Sequence, residues 1–177
     1  MNKCVNQIWL VILLIAITCN SVSFANEPQS LEYKLKALYI VRLAKFITWP
    51  ENPQKNSFVI CIEAGDKVAV QLRKTTETEI NGRKLEIIDP PSGSSITQCD
   101  FLYLSRGKVD SYLAHTPVFT LSSQADFAEQ GGMIEFYIDL GKVRMKANLL
   151  AVNKAGFKLS SKLIRLLKIV KTTGETK

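Results

Sequence analysis

The apolar positions of this chain change their spacing several times between residues 31 and 170, and each change predicts a helix or a strand. Apolar residues recur at helical spacing over residues 31–48 and predict an amphipathic helix, with its leucines and Phe46 facing inward and its lysines facing outward. The helix is expected to end at Trp49, because the residue before a proline is disfavoured in the helical region.

Short apolar segments then alternate with segments of helical character. Strands are predicted at residues 58–63, 84–88, 101–104 and 118–121. Helices are predicted at residues 66–75, 109–114 and 125–129, the last of them stopping at Gly131-Gly132. Buried strands that alternate with helices predict parallel β-α-β units with helices on both faces of a sheet.

Residues 133–147 alternate between apolar and polar and predict a β-hairpin. Ile134, Phe136 and Ile138 fall on one face, and Glu135 falls on the other, which is expected to be wet. The turn is predicted at Leu140-Gly141-Lys142, since glycine supplies the positive φ of a tight turn. One dry face is therefore expected.

Two helices are predicted after the hairpin. Asn148 is a candidate N-cap for a helix over residues 149–155, which Gly156 ends. A last helix is predicted from Ser160 or Ser161 to about Lys171, with a basic strip on one side.

Together these elements predict an α/β fold. The expected architecture is a three-layer α/β/α sandwich, with a mainly parallel sheet and a C-terminal antiparallel edge hairpin. Neither a repeat nor a linker divides residues 26–177, which are expected to form a single domain.

The first 25 residues have the pattern of a cleaved signal peptide. Lys3 precedes an apolar run at residues 8–16, and Ser23-Phe24-Ala25 is a small-x-small cleavage site. The run is shorter than the roughly 20 residues of a spanning helix. Cys19 offers a lipoprotein alternative, which the threonine before it disfavours. Export from the cytosol is expected.

The chain carries a formal charge of +7, or +6 once the single lysine of the signal segment is removed. The cations are scattered among acids, without the cluster interleaved with aromatics that is typical of nucleic-acid binding. No nucleic-acid partner is expected. A basic face for an acidic partner, and a merely solvated surface, both fit the charge.

Two cysteines remain after the signal segment, Cys61 in a predicted strand and Cys99 just before another. In an oxidising compartment they favour a disulfide, which would stabilise the fold by about 4 kcal/mol in the chain-entropy model. Two buried free thiols are the alternative. With a single histidine in the chain, a metal site is not expected.

No set of residues predicts catalysis or a cofactor. Neither a phosphate-binding glycine loop nor a nucleophile motif occurs, and His115 is better explained as a helix-terminal or surface cation than as a base. The acidic pairs Glu77/Glu79 and Glu135/Asp139 are better explained by solvation than as acid–base pairs. The chain is therefore expected to bind and not to catalyse.

A candidate binding site lies on the first and last predicted helices. If these helices pack side by side, their cations and an aromatic rim could hold an anionic or planar ligand, or a partner. The alternative is that the aromatics belong to the core and the cations are merely exposed. The residues are Arg42, Lys45, Trp49, Arg165 and Lys168.

The order of these segments resembles the YfiR/HmsC-like family. The resemblance rests on the opening helix with Ala37-Leu38-Tyr39 and Trp49-Pro50, and on the C-terminal succession of Gly131-Gly132, a V-R-x-x-x-N strand, an A-x-x-x-A-G helix and K-L-S-S-K-L-I. It covers residues 31–170.

This resemblance implies a periplasmic protein that represses an inner-membrane diguanylate cyclase by binding its periplasmic sensor domain. Cyclic-di-GMP and biofilm formation would fall, and an outer-membrane-attached lipoprotein would act as antagonist. It also implies a homodimer and a bonded cysteine pair. The alternative function is a periplasmic module that binds an anionic or aromatic small molecule.

We expect the mature protein to begin at Asn26, because the small-x-small site lies directly before it. N-terminal sequencing or the intact mass of the exported protein checks this. A lipidated Cys19 at the first position would contradict it.

Overall fold

A computed structural model describes residues 27–50, 55–91, 93–107 and 116–171. The chain divides into two units, Met1–Ser30 and Leu31–Lys177, and the sheet with its apolar core belongs to the second. The predicted signal segment with Cys19, the predicted helix at 109–114 and His115 lie outside the described residues.

The described residues form four α-helices and ten strands. The helices are α1 (Glu27–Leu43), α2 (Lys67–Leu72), α3 (Leu149–Lys154) and α4 (Ser161–Ile164), with 3₁₀ turns at Ala44–Phe46 and Gly93–Gln98. The strands are β1 (Ile47–Thr48), β2 (Ser57–Ile62), β3 (Glu79–Ile80), β4 (Arg83–Ile88), β5 (Phe101–Leu104), β6 (Phe119–Ser122), β7 (Ile134–Asp139), β8 (Lys142–Asn148), β9 (Lys158–Leu159) and β10 (Lys168–Val170). None of these helices combines the length and hydropathy needed to cross a bilayer.

Eight strands form one mixed sheet in the order β10-β8-β7-β6-β5-β2-β4-β3. The central strands β4, β2, β5, β6 and β7 are parallel, whereas β7 and β8 form the antiparallel hairpin. This confirms the predicted α/β sandwich with its mainly parallel sheet and C-terminal hairpin. β10 adds a parallel strand outside β8, and β1 pairs with β9 in a separate two-stranded sheet.

The two faces of the sheet bury separate apolar clusters, because successive side chains of a strand point to opposite faces. Phe58, Ile60 and Ile62 of β2 belong to the larger cluster, together with residues of all four helices. Cys61 of the same strand belongs to the smaller cluster with Ile96 of the second 3₁₀ turn. The continuous apolar run of β2 thus reflects a strand that is covered on both sides.

Cys61 and Cys99 form a disulfide within the smaller cluster. Their Cα atoms are 5.7 Å apart, and 38 positions separate them in the chain. Both residues are fully buried. The bond ties β2 to the segment that leads into β5, its neighbour in the sheet.

Trp49 lies at the centre of an aromatic cluster on the sheet face that carries the larger apolar cluster. Its ring centroid lies 5.0 to 6.2 Å from those of four phenylalanines, and its indole Nε1 donates a hydrogen bond to the Ala44 carbonyl at 3.1 Å. Three of the four belong to adjacent parallel strands and one precedes β9: they are Phe58, Phe101, Phe119 and Phe157. This ring contact joins the segment after α1 to both the sheet and the C-terminal part of the chain.

The buried face of α1 differs from the predicted one. Ala37, Ile40 and Val41 are buried, whereas Leu38 is 41% exposed and Lys36 only 5%. The prediction was wrong for these residues and right for Leu43, which is buried. Apolar residues occur on all sides of this helix, and every leucine was assumed to face inward. Leu31 and Phe46, also expected inside, are exposed as well.

The predicted last helix is much shorter than expected. Its start is right, since the Ser160 side chain accepts a hydrogen bond from the Leu163 backbone N–H and caps α4. Beyond α4, residues 168–170 form β10 and pair in parallel with residues 146–148 of β8. The expected basic strip is therefore not helical. The free edge of β8 offers backbone hydrogen bonds, and β-branched Ile169 and Val170 suit a strand.

The helix predicted at residues 125–129 is also wrong, because this segment forms turns. Asp126 has φ of 59°, which interrupts a right-handed helix. The turn folds the Phe127 ring onto Gly132, where a Cβ would collide with the ring. The predicted hairpin turn, in contrast, is confirmed, with positive φ at Leu140 and Gly141.

We expect Trp49→Ala to lower the free energy of unfolding by about 3 kcal/mol, because it removes a ring packed against four others and leaves a cavity. Urea denaturation measures the change. Phe46→Ala is the control, since Phe46 is an aromatic residue three positions earlier that is 40% exposed. A cost for Phe46→Ala equal to that for Trp49→Ala would contradict the central place of Trp49.

Candidate functional site

The strand order places a crevice at the carboxyl ends of β2 and β5. From β2 the chain continues through α2 towards β4 on one side, and from β5 it continues to β6 on the other. In open parallel sheets, ligands bind where the connections of adjacent strands diverge in this way. We call this space the switch-point crevice.

The switch-point crevice has a volume of about 460 Å³, within the range of small-molecule sites. Four segments line it: the start of α1, the loop from β2 into α2, the end of β5 with the residues after it, and the residues after β6. Its lining residues are Glu32, Tyr33, Lys36, Glu63, Gly65, Asp66, Lys67, Val68, Tyr103, Ser105, Arg106, Ser123 and Gln124.

Two hydrogen bonds tie the loops of the crevice to each other. Ser105 Oγ donates to Asp66 Oδ2 at 2.6 Å, while Asp66 Oδ1 accepts from the Val68 N–H at 2.7 Å and so caps α2. Tyr103 Oη and Ser123 Oγ lie 2.7 Å apart. Burial raises the pKa of the Tyr103 phenol, which stays protonated. The crevice therefore has a hydrogen-bonded floor.

The charges of the crevice are only partly paired. Lys36 Nζ forms an ion pair with Glu32, one turn earlier on α1. Lys67 Nζ lies 5.3 Å from the Tyr33 ring centroid, and no carboxylate within the described ranges pairs with it. Arg106 likewise has no acidic partner in that part of the chain, and Glu63 has no cationic one. Two cations and two carboxylates of the crevice thus have no ion-pair partner in that part of the chain, and one of these carboxylates, Asp66, already accepts two hydrogen bonds.

The five residues predicted as a binding site do not converge on this crevice. Trp49 belongs to the aromatic cluster. Arg42 and Lys45 are exposed at the end of α1, where Lys45 Nζ lies 3.8 Å from Glu77 Oε1. Arg165 is exposed at the end of α4, and Lys168 is exposed in β10 instead of a helix.

The structure nevertheless connects the two segments that carry these residues. β1 follows α1 and pairs with β9, which precedes α4. The Ser160 N–H donates to the Phe46 carbonyl at 2.9 Å, so that the start of α4 adjoins the end of α1. Phe46 and Leu166, at 40% and 72% exposure, add apolar surface beside these cations.

A second cavity, of about 320 Å³, lies beside Trp49 at the amino ends of the strands. Its cations differ from the predicted ones and are already paired: Arg83 Nη2 and Lys55 Nζ lie 3.0 and 3.6 Å from Asp100 Oδ1. Asp100 Oδ2 also accepts from the Val59 N–H at 2.8 Å. An anion would have to compete with a carboxylate that is 7% exposed.

The acidic pairs have different environments. Glu77 and Glu79 are both exposed, as solvation requires. Glu135, predicted on a wet face, is instead only 2% exposed, so this prediction was wrong. The other member of its pair, Asp139, lies 3.8 Å from Arg144 in an exposed contact. No group of three His, Cys, Asp or Glu in the described ranges is placed to hold a metal ion.

Glu135 is buried because it belongs to an ion network on the sheet face that carries the smaller apolar cluster. Lys146 Nζ lies 3.0 Å from Glu129 Oε1 and 3.1 Å from Glu135 Oε1. Glu135 Oε2 accepts from the Ala128 N–H at 3.3 Å, which fixes the turn before β7. The network thus joins this turn to both strands of the hairpin.

The network shifts the pKa values of its members. Desolvation by burial opposes both shifts, but hydrogen bonds and charge attraction outweigh it. Lys146 lowers the pKa of the Glu129 carboxyl below 4.5, and the two carboxylates raise the pKa of Lys146. Glu129 and Lys146 are therefore both charged at neutral pH, and the attraction between their opposite charges stabilises the network.

A signal for the switch-point crevice was present in the sequence. Polar residues directly follow three predicted strands, at 63–66, 105–107 and 123–124. The carboxyl ends of parallel strands meet at one edge of a sheet, so these residues could have been grouped. The strand order itself was not readable, because it depends on pairing between distant segments.

The chain matches a known protein family. The sequence family described as YfiR/HmsC-like covers residues 33–167, from the second turn of α1 to the residue before β10. No curated protein matches the chain at a significant level.

We expect Lys146→Met to lower the free energy of unfolding by about 3 kcal/mol at pH 7, because it leaves the Glu135 carboxylate buried without a counter-charge. Lys142→Met on the same strand is the control, since Lys142 is exposed and its loss should cost less than about 0.5 kcal/mol.

The pH dependence sharpens this test. The folded pKa of Glu129 is lowered, so its stabilisation is present above about 4.5 and is lost as the pH falls through the folded value. Without Lys146 the Glu129 carboxyl loses the partner that lowers its pKa, so it protonates more readily. The difference between wild type and Lys146→Met should therefore shrink in acid, and urea midpoints that stay equally far apart from pH 7 to pH 3 would contradict the role of the network.

Proposed function

The chain belongs to the YfiR/HmsC-like family, and from this membership we propose that it is a periplasmic regulatory protein that represses an inner-membrane diguanylate cyclase. It would bind the cyclase's periplasmic sensor domain, lower cyclic-di-GMP and so restrain biofilm formation. It would act by contact, without catalysing a reaction.

The observation that carries this proposal is the extent of the family match. Residues 33–167 include most of α1, the five parallel central strands, the hairpin and α4. The similarity therefore concerns the whole domain and not a short motif, and it supports a function of the domain as a unit.

The disulfide supports a periplasmic location. Such bonds persist in oxidising compartments and are rare in the bacterial cytosol. The bond between Cys61 and Cys99 lies in the core between β2 and the segment that leads into β5, where it would stabilise the fold in such a compartment. The apolar segment before Asn26 would direct export and then be removed.

We propose that the cyclase contact includes the surface at the ends of α1 and α4. Arg42, Lys45 and Arg165 supply positive charge there, and the hydrogen bond between Ser160 and Phe46 keeps the two segments adjacent. Exposed apolar side chains next to cations suit a partner whose surface is acidic and partly apolar. Lys168 lies further along, in β10, and Trp49 would hold the surface in place from beneath.

Repression requires different affinities for the two states of the cyclase. A ligand that binds both states equally shifts nothing, and a shift from 1:99 to 99:1 needs about a 10⁴-fold preference. The protein would therefore bind the inactive form of the sensor domain more tightly. An outer-membrane-attached lipoprotein would relieve repression by competing with the cyclase for the protein. The protein would also form a homodimer through the exposed leucines of α1.

A second candidate function is the binding of a small anionic or aromatic molecule. The switch-point crevice favours it, since its volume suits such a ligand and two of its cations are unpaired within the described residues. The two functions are compatible, because the crevice and the ends of α1 and α4 use different residues.

We expect deletion of the gene to raise cyclic-di-GMP, and the wild-type protein to restore the low level. Arg42→Ala/Arg165→Ala should restore it poorly, with at least a tenfold loss of affinity for the purified sensor domain. Arg73→Ala/Lys74→Ala is the matched control, since it removes two exposed cations after α2 and should repress normally.

Unchanged cyclic-di-GMP after deletion would contradict repression. Equal loss of affinity in both double variants would contradict the proposed surface and would indicate attraction by net charge alone.

A further inference from the structure

Resting on the second candidate function, we propose that the switch-point crevice is a binding site for a compact organic anion, a carboxylate or phosphate that also carries a hydroxyl group. Lys67 and Arg106 would bind the anionic group, and Glu63 would accept from the hydroxyl. The site is distinct from the five residues that the sequence predicted.

The lining of the crevice carries three acidic and three basic residues, and the preference for an anion follows from which of these charges are already engaged. Glu32 is occupied by Lys36, and Asp66 already accepts from Ser105 Oγ and from a backbone N–H. These acids therefore have little capacity left for a ligand. The cations Lys67 and Arg106, by contrast, have no carboxylate partner in the described ranges.

The polar floor supplies further hydrogen bonds. Tyr103 and Ser123 each carry one hydroxyl hydrogen, and one of the two hydroxyls donates its hydrogen to the other. The hydrogen of the accepting hydroxyl is then available to a ligand in the crevice. Because burial raises the pKa of Tyr103, the pair remains a donor at neutral pH. Carboxylate and phosphate oxygens are acceptors that match such donors.

The walls of the crevice are already formed without a ligand. The bond between Ser105 and Asp66 joins the loops after β5 and β2, and the Gln124 side chain donates to the Leu104 carbonyl at 3.3 Å and so fixes the segment after β6. A preformed site loses little conformational entropy on binding. The 460 Å³ volume suits a molecule of the size of citrate or glycerol 3-phosphate, not a peptide chain.

The second cavity is a weaker candidate on the same criteria. Both of its cations, Arg83 and Lys55, pair with Asp100, and Arg83 Nη1 also donates to the Ser57 carbonyl at 3.2 Å. These ion pairs stabilise the fold, and an anion that binds in the second cavity would have to separate the cations from Asp100.

Calorimetric titration of the purified exported protein in 150 mM NaCl tests the proposal. Citrate and glycerol 3-phosphate are the probes, and they distinguish a carboxylate from a phosphate site. Glycerol is the neutral control and putrescine the cationic one. We expect saturable binding of at least one anion and of neither control.

Lys67→Met and Arg106→Met should each weaken that binding at least tenfold. Arg73→Met and Lys74→Met are the matched controls, because they remove equal charge from exposed positions just after the far end of α2 and should leave the affinity within twofold. Thermal unfolding of each variant checks that the fold is intact.

Two results would overturn the site. One is the absence of saturable binding by both anions at 10 mM. The other is an equal loss of affinity in the crevice and control variants, which would indicate surface charge only. Since the titration contains no cyclase, either result leaves the proposed repression untouched, and a failure of repression leaves the ligand site standing.

Discussion

The packing of Trp49 against four phenylalanine rings is the contact on which the rest of the fold depends. It holds together three segments that are distant in sequence: the end of α1, the central parallel strands and the residues before β9. Each such aromatic pair contributes about 0.5–1.5 kcal/mol beyond its buried area. Because β1 leads directly into Trp49, the same contact places the β1–β9 pair, and with it the adjoining ends of α1 and α4.

The two ends of the parallel strands differ in how their charges are used. At the amino ends, Asp100 forms ion pairs with both Arg83 and Lys55, so these two cations already have a partner. At the carboxyl ends, Lys67 and Arg106 face a crevice without an acidic partner among the described residues. One end of the sheet is therefore stabilised by its ion pairs, and the other keeps charge available for another molecule.

The hairpin is covered on both faces at its base and exposed at its tip. Glu135 is buried beneath Lys146, whereas Leu140 at the turn is 93% exposed. A buried ion pair contributes less to stability than an apolar pair of the same shape, but losing one member is costly. The network thus fixes the register of the hairpin against the turn before β7. This ion network and the candidate binding surfaces occupy different parts of the domain.

The sequence by itself determined those features that depend on neighbours in the chain. The buried strands, the Leu140-Gly141 turn, the caps at Asn148 and Ser160 and the α/β class follow from local periodicity and backbone preference. The order of segments also sufficed to recognise the family.

Only the tertiary structure decided which side of α1 is buried and that residues 168–170 form a strand. It also decided that Glu135 is buried, and that the cations Lys67 and Arg106 both line the switch-point crevice. Each of these outcomes depends on a partner far away in the chain. For α1, local preference alone leaves several sides of the helix nearly equal in free energy. Packing against the sheet decides the buried side of α1, the open edge of β8 decides that residues 168–170 form a strand, and Lys146 allows Glu135 to be buried.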